Sequence, residues 1–274
     1  MNLHRVFLVA NTTKPDVLRT LANLKVWCQQ HGVEPVPVSE PWKQDEEDAL
    51  VIALGGDGTV LRAASYFSET VIPILGVNLG SLGFLTQATT DEMADVLQAI
   101  LSDRFLIEER MRLAYHLHNV GSTVLNDLVI TGSVDSPFCE LELSWEDGIV
   151  SAYPGDGVIL ATATGSTAYS LSAGGPVIVP PAACILATPL AAHKLGLRPV
   201  IFPPDETIRV RARTRARVFA DGDAVATLAC GDEIVVARAA NPTRLIRIAG
   251  APTFFRVLDE KLNWADTAQR ERED

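Results

Sequence analysis

Apolar and polar positions follow two textures along this chain, and the change falls near residue 104. Before it, unbroken apolar runs alternate with segments of helical period. Val6 to Ala10 is such a run, closed by the turn formers Asn11, Thr12 and Thr13. Asp16 to His31 then carries Val17, Leu21, Leu24, Val26 and Trp27 at helical spacing, with Gly32 as its stop. Ala49 to Leu54 is a second continuous run, as expected of a strand covered on both faces. It enters Gly55-Gly56-Asp57-Gly58, after which Thr59 to Phe67 reads as helix. Ile72 to Val77 predicts a third strand, followed by another glycine-rich turn, and Asp91 to Ser102 a helix with Asp91 as its N-cap. Strands alternating with helices predict a parallel sheet, whose ligands bind at the carboxyl ends of the strands.

Beyond Arg104, short alternating segments predict antiparallel strands: Leu113 to His118, Thr123 to Thr131, Glu140 to Trp145, Val158 to Thr162, Thr207 to Ala212, Arg217 to Ala220 and Glu233 to Ala237. A helix is expected near Thr167 to Ala173, stopped by Gly174-Gly175-Pro176, and Arg256 to Trp264 is amphipathic. The expected organisation is a Rossmann-like α/β domain over 1–103, a mostly antiparallel β-rich domain over 104–250, and a tail over 251–274 that packs back onto the first domain.

Charge and composition narrow the partners. Among 274 residues, 23 Lys and Arg face 34 Asp and Glu, a net charge of −11 that argues against broad nucleic-acid or anionic-membrane binding. Aromatic content of 6% also disfavours binding single strands by base stacking. Cys28, Cys139, Cys184 and Cys230 fit no metal-ligand spacing and read as reduced thiols of a cytoplasmic protein. His116 and His118 share one face of a strand, but with no third ligand nearby they read as ordinary strand residues. The apolar stretch at the N-terminus is too short for a signal peptide or a membrane span.

Four polar turns carry the chemistry. In Gly55-Gly56-Asp57-Gly58-Thr59 the glycines let backbone approach a ligand, and the helix that follows offers N–H groups to phosphate. A carboxylate at the centre of such a cradle fits a proton acceptor or a metal ligand, although Asp57 alone also fits a helix cap. Arg62 lies about a turn on and can reach a phosphate; by itself it reads as a solvated helix residue. The second turn, Gly76 to Phe84, follows the next strand and so sits beside the first, with Phe84 either stacking on a base or buried. Third, Asn126-Asp127 interrupts an apolar strand, either as a bulge or as an amide and carboxylate offered to a nucleotide. Fourth, Gly155 to Gly175 leaves an Asp-Gly turn, runs as a strand and ends in small hydroxyls at a helix start near Ser166 or Thr167.

These blocks, in this order, resemble the NAD kinase family: GGDGT at 55–59, GVNLGSLGFL at 76–85, ND at 126–127 and DGVILATATGSTAYSLSAGGP at 156–176. Asp221-Gly222, Gly231-Asp232 and the tail pattern ending at Trp264 also fit, so the resemblance spans nearly the whole chain. It implies transfer of the terminal phosphoryl of ATP, or of polyphosphate, to the 2′-hydroxyl of NAD's adenosine ribose, with a divalent metal, Mg²⁺, and a homo-oligomer, dimer or tetramer. By the family pattern Asp57 is the proton acceptor, and Asp57 and Gly58 contact the dinucleotide. Asn126, Asp127, Asp156 and the run Thr167, Ala168, Tyr169, Ser170, Leu171 and Ser172 match NAD contacts, and Arg62 and Phe84 match further ligand positions.

Two positions depart from the pattern. Pro154 stands where many members carry Arg or His, and Asp223 where many bacterial members carry Gln. A non-catalytic dinucleotide sensor and a lipid kinase built on the same glycine-rich turn are the alternatives. The intact Asp57 speaks against the first; the Asn-Asp pair, the hydroxyl-rich block and the acidic charge speak against the second.

Overall fold

In the computed structural model, which describes residues 2–264 apart from 13–14, 81, 134–135, 147 and 195, the apolar runs of the first hundred residues become strands. They are β1 (Arg5–Ala10), β2 (Glu34–Pro37), β3 (Ala49–Leu54), β4 (Ile74–Asn78), β5 (Ala88–Thr89) and β6 (Phe105–Arg110). Every residue of β3 is buried, which only a strand covered on both faces achieves. The helices between them are α1 (Pro15–Gln30), α2 (Asp57–Tyr66) and α3 (Met93–Leu101). Two starts differ from the sequence reading. Helix α2 opens at Asp57 itself, since Gly56 takes the cap position in extended backbone. Before α3 it is Glu92, not Asp91, that occupies the cap, and its carboxylate turns back to the N–H and hydroxyl of Thr89 at 2.8 and 2.9 Å.

Residues 109–243 form a second unit of antiparallel strands. In chain order these are β7 (Leu113–Leu117), β8 (Val120–Val124), β9 (Asp127–Gly132), β10 (Cys139–Trp145), β11 (Gly148–Gly155), β12 (Gly157–Ala161), β13 (Ile185–Leu190), β14 (Val200–Phe202), β15 (Ile208–Ala212), β16 (Ala216–Ala220), β17 (Asp223–Leu228) and β18 (Glu233–Arg238). One sheet has the order β11-β10-β15-β18-β7-β8, the other β14-β13-β12-β9-β16-β17. Alternation along each strand sends one set of side chains into a common core. Leu141, Val210 and Val236 of the first sheet and Ile130, Leu160 and Val218 of the second share that core, which makes the unit a β-sandwich. The opposite set of the second sheet, with Val129 and Ile159, packs under the segment that holds Ala173 and Ile178.

Three expectations are corrected here. The stretch 123–131 is two strands broken at Leu125-Asn126. The helix expected over 167–173 is a single 3-10 turn, Gly165–Thr167, followed by the four-residue α4 (Tyr169–Ser172), too short to sum a useful dipole. His118 lies in the turn after β7 with positive φ and pairs with Asp232 at 3.2 Å, so it does not share a strand face with His116.

The chain re-enters the first unit at Arg244. There β19 (Thr243–Ile248) adds to the first sheet, whose order is β2-β1-β3-β4-β19-β6 with β5 on β4, parallel from β2 to β19. The unit boundaries fall at 108/109 and 243/244 rather than 103/104 and 250/251, because β6 and β19 belong to this sheet. The amphipathic tail is α5 (Phe254–Leu262), which belongs to the first unit and buries Val257 and Leu258. Thr253 caps its start, its hydroxyl accepting from the Arg256 N–H at 3.4 Å, and Asn263 ends it in the left-handed conformation.

Candidate active site

Strands β3 and β4 are hydrogen-bonded neighbours, so the turns at their carboxyl ends meet. The Asp57 carboxylate, at the first turn of α2, accepts the N–H of Phe84 at 2.9 Å and of Leu85 at 3.0 Å. A carboxylate offers about four lone-pair sites, so two remain for other donors. Gly83 makes this contact possible: a Cβ there would stand 2.1 Å from Asp57 Oδ1. Gly55 is required for a similar reason, its absent Cβ otherwise meeting the Thr59 hydroxyl at 2.1 Å. No side chain caps α2, which leaves its first N–H groups, with the exposed Gly58 among them, available to an anion.

Phe84 is half-buried, and its ring packs 5.9 Å from that of Phe254 on α5. Arg62 is exposed and does not join Asp57. It lines a separate cavity of about 510 Å³ with Lys25, Ser39 and Tyr66.

The second unit holds a cavity of about 480 Å³ on the outer face of its second sheet. Asn126, Asp127, Ala168 and Tyr169 line it, as do Asp221 and Gly222. Its apolar floor comes from Val129 and Phe219, cross-strand partners on β9 and β16, with Thr131 beside them. The guanidinium of Arg217 lies over the Phe219 ring, 4.6 Å from its centre, within the range of a cation–π contact.

The hydroxyl-rich block is chiefly a scaffold for the Asn-Asp turn. Thr162 donates its hydroxyl to the Leu125 carbonyl at 2.6 Å, and its N–H reaches the Asn126 carbonyl at 2.9 Å. Gly165 lies so close that a Cβ would stand 2.1 Å from that same carbonyl oxygen. The Ser166 hydroxyl donates to the Ala163 carbonyl, and Ser170 is fully buried with its hydroxyl bonded to Thr188 at 2.8 Å. These hydroxyls, read from sequence as donors for a ligand, are spent on protein. Thr167, Leu171 and Ser172 do not line the cavity either. Asp156 is exposed at the opposite end of β12 from Thr162, about 20 Å away for six extended residues.

Sequence reasoning gave no individual role to Asp221, Phe219 or Gly83. The signal for Asp221 was the Asp-Gly pair, a sequence favoured where the chain takes positive φ; here φ is 47° and 95°. The other two become visible only when strand register and loop contact are known.

Asp127 is buried, and burial first, then the charge of Asp221, pushes its carboxyl up to about 7. An acid whose folded value is raised is most compatible with folding below its unfolded value near 4, and the cost grows as pH rises to the folded value. The neutral, near-isosteric Asp127→Asn variant escapes that cost. It is expected to melt several degrees above wild type at pH 8 and to lose this advantage below pH 4, in thermal unfolding across that range.

Residues 42–105 match the family described as "ATP-NAD kinase N-terminal domain", and residues 125–248 that described as "ATP-NAD kinase C-terminal domain". The NAD kinase of Geobacter sulfurreducens is 40% identical, over 96% of this chain and 100% of its own. That of Heliobacterium modesticaldum is 36% identical, over 94% and 98%. Among solved structures, yeast NADH kinase complexed with NADH superposes with a TM-score of 0.87 at 25% identity, covering 96% of this chain and 88% of that one. An NAD kinase from Archaeoglobus fulgidus in complex with ATP gives 0.77 at 25% identity, over 96% and 100%.

Proposed function

The chain belongs to the NAD kinase family, and on that premise we propose that Asp57 is the proton acceptor as it phosphorylates NAD to NADP. The enzyme is a phosphotransferase with an alcohol as acceptor and ATP as donor. This sets aside the sensor and the lipid kinase.

The observation that carries the assignment is a carboxylate held by two backbone N–H groups at the carboxyl edge of a parallel sheet, with lone pairs to spare. The ribose 2′-oxygen attacks the terminal phosphorus of ATP, its O–H proton passes to Asp57, and the bond from that phosphorus to the bridging oxygen breaks to release ADP. An alcohol is a far weaker acid than a carboxylic acid. The proton therefore moves late, once bonding to phosphorus has drawn charge from the oxygen. The uncapped N–H groups of α2 favour the phosphate charge.

Among the described residues, no group of three or more His, Cys, Asp or Glu side chains forms a metal site. Mg²⁺ brought in with ATP would supply charge neutralisation during phosphoryl transfer. In the second unit, the amide of Asn126 and the carboxyl of Asp127 meet the polar edges of the dinucleotide. Its flat groups lie on the floor of Val129, Phe219 and Tyr169. Contacts from Gly58, Arg62, Phe84, Asp156 and Thr167 to Ser172 remain part of this reading on the family pattern, as do polyphosphate as a further donor and a cytoplasmic setting. No described helix is long and apolar enough to cross a membrane. A homo-oligomer, dimer or tetramer, likewise stays part of this reading on the family pattern.

Purified protein given NAD and Mg-ATP should make NADP⁺, read with an NADP-specific dehydrogenase. Measurable NAD binding without turnover on ATP or polyphosphate, and none on NADH, would overturn this function.

A further inference from the structure

Asp221 accepts three backbone N–H groups in a row. Its Oδ2 takes that of Leu125 at 2.9 Å, and its Oδ1 those of Asn126 at 2.8 Å and Asp127 at 3.2 Å. Leu125 and Asn126 form the break between β8 and β9, and Asp127 is the first residue of β9. In return the Asp221 N–H donates to the Asp127 carbonyl at 3.0 Å. Asp221 holds φ 47°, a left-handed conformation that Asp and Asn tolerate better than other residues with a Cβ.

Asp221 is half-buried, and burial pushes its carboxyl above the usual carboxylate range, so its charge gains from an answer within the fold. Arg112 provides it. This guanidinium is 1% exposed, held by the hydroxyls of Thr123 and Thr243, and it favours the ionised form of Asp221 through its charge. Burial pulls Arg112 down only to about 10, so it stays protonated near neutral pH. A charge set so deep as that of Arg112 is weak ground for stability and is best explained by what it specifies. Here it specifies the backbone of two residues whose side chains line the cavity.

We infer that Asp221 is a positioning residue for dinucleotide recognition: its carboxylate, balanced by Arg112, fixes the turn that presents Asn126 and Asp127 to the cavity. The inference rests on the reading that this pair binds NAD. The turn takes three of the roughly four lone-pair sites of the Asp221 carboxylate, so the residue acts chiefly through its neighbours. Losing charge-assisted bonds to that turn costs recognition, because Asn126 and Asp127 must then be ordered at the expense of binding.

The test is a double-mutant cycle on the full chain, with NAD affinity by calorimetry and KM for NAD and ATP by the coupled assay. Asp221→Asn suits the left-handed position but turns an N–H₂ group toward N–H donors. It should weaken NAD binding about tenfold or more and raise KM for NAD, with KM for ATP unchanged. Asn126→Ala should weaken NAD binding by a similar factor. The double variant should be little worse than the weaker single, because both changes remove one function. If Asn126→Ala leaves NAD affinity unchanged, the reading of the pair fails and takes the inference with it. If Asn126→Ala weakens binding while Asp221→Asn does not, or the two effects multiply, only the positioning role fails.

A second readout tests whether Asp221 stands beside Asp127 as the hydrogen bonds of the turn place it. With Asn at 221 the negative neighbour of Asp127 is gone, so the ionisation of Asp127 seen in NAD affinity against pH should move to lower pH. The groups that bear on it are Asp221 itself and, through Asp221, Arg112 and Tyr115. An unmoved profile would count against the inference. Should Asp221→Asn not fold, Asp221→Glu keeps the charge opposite Arg112 but displaces the carboxylate, and the same cycle decides.

Discussion

Asp57→Asn is expected to lower kcat about a thousandfold while leaving NAD affinity within about a factor of three, since a positioned general base contributes roughly 10²–10⁴ in rate. The side chain keeps its shape and one carbonyl oxygen, so one of the two N–H groups, from Phe84 or Leu85, keeps an acceptor. The acceptor for the ribose proton is lost. Turnover under saturating NAD and Mg-ATP, beside NAD binding by calorimetry, checks both halves. A variant with near-normal kcat would remove Asp57 from the chemistry, and one that fails to bind NAD would make it a binding residue instead.

The second large effect comes from a residue that carries no chemistry. Gly83→Ala places a methyl 2.1 Å from Asp57 Oδ1 and 2.5 Å from its Cγ, so the carboxylate must leave its place. Displacement of a reacting group by about 1 Å costs on the order of a hundredfold in rate, and that is the expected fall in kcat. Gly80→Ala is the control in the same turn, since a Cβ there meets nothing within 4 Å. Adding Gly83→Ala to Asp57→Asn should cost little more than Asp57→Asn alone, because a misplaced group that no longer acts has nothing further to lose.

What was legible in the sequence divides along physical lines. Continuous burial leaves a continuous apolar run, so Ala49 to Leu54 and the parallel sheet around it could be read directly. Local backbone demands also leave marks, as the glycines flanking Asp57 do. The scaffold bonds of Thr162, Ser166 and Ser170 were not legible, because composition shows donors and acceptors but not which protein groups satisfy them. Phe219 reached the cavity floor through its register opposite Val129, a pairing across some ninety residues that no local pattern records. The strand Thr243–Ile248 was missed for a related reason. Its residues carry no helix–strand alternation of their own, and only the gap beside β4 makes them part of a parallel sheet.

That last strand sets an order of events during synthesis. A ribosome delivers residues 109–243, a continuous segment, before it completes β19 at Ile248. β19 sits between β4 and β6, so the nascent first unit waits with an open seam in its sheet until the second unit has fully emerged. Domains usually mature in the order of their first residues; in this chain the later-starting unit is the first whose parts are all present.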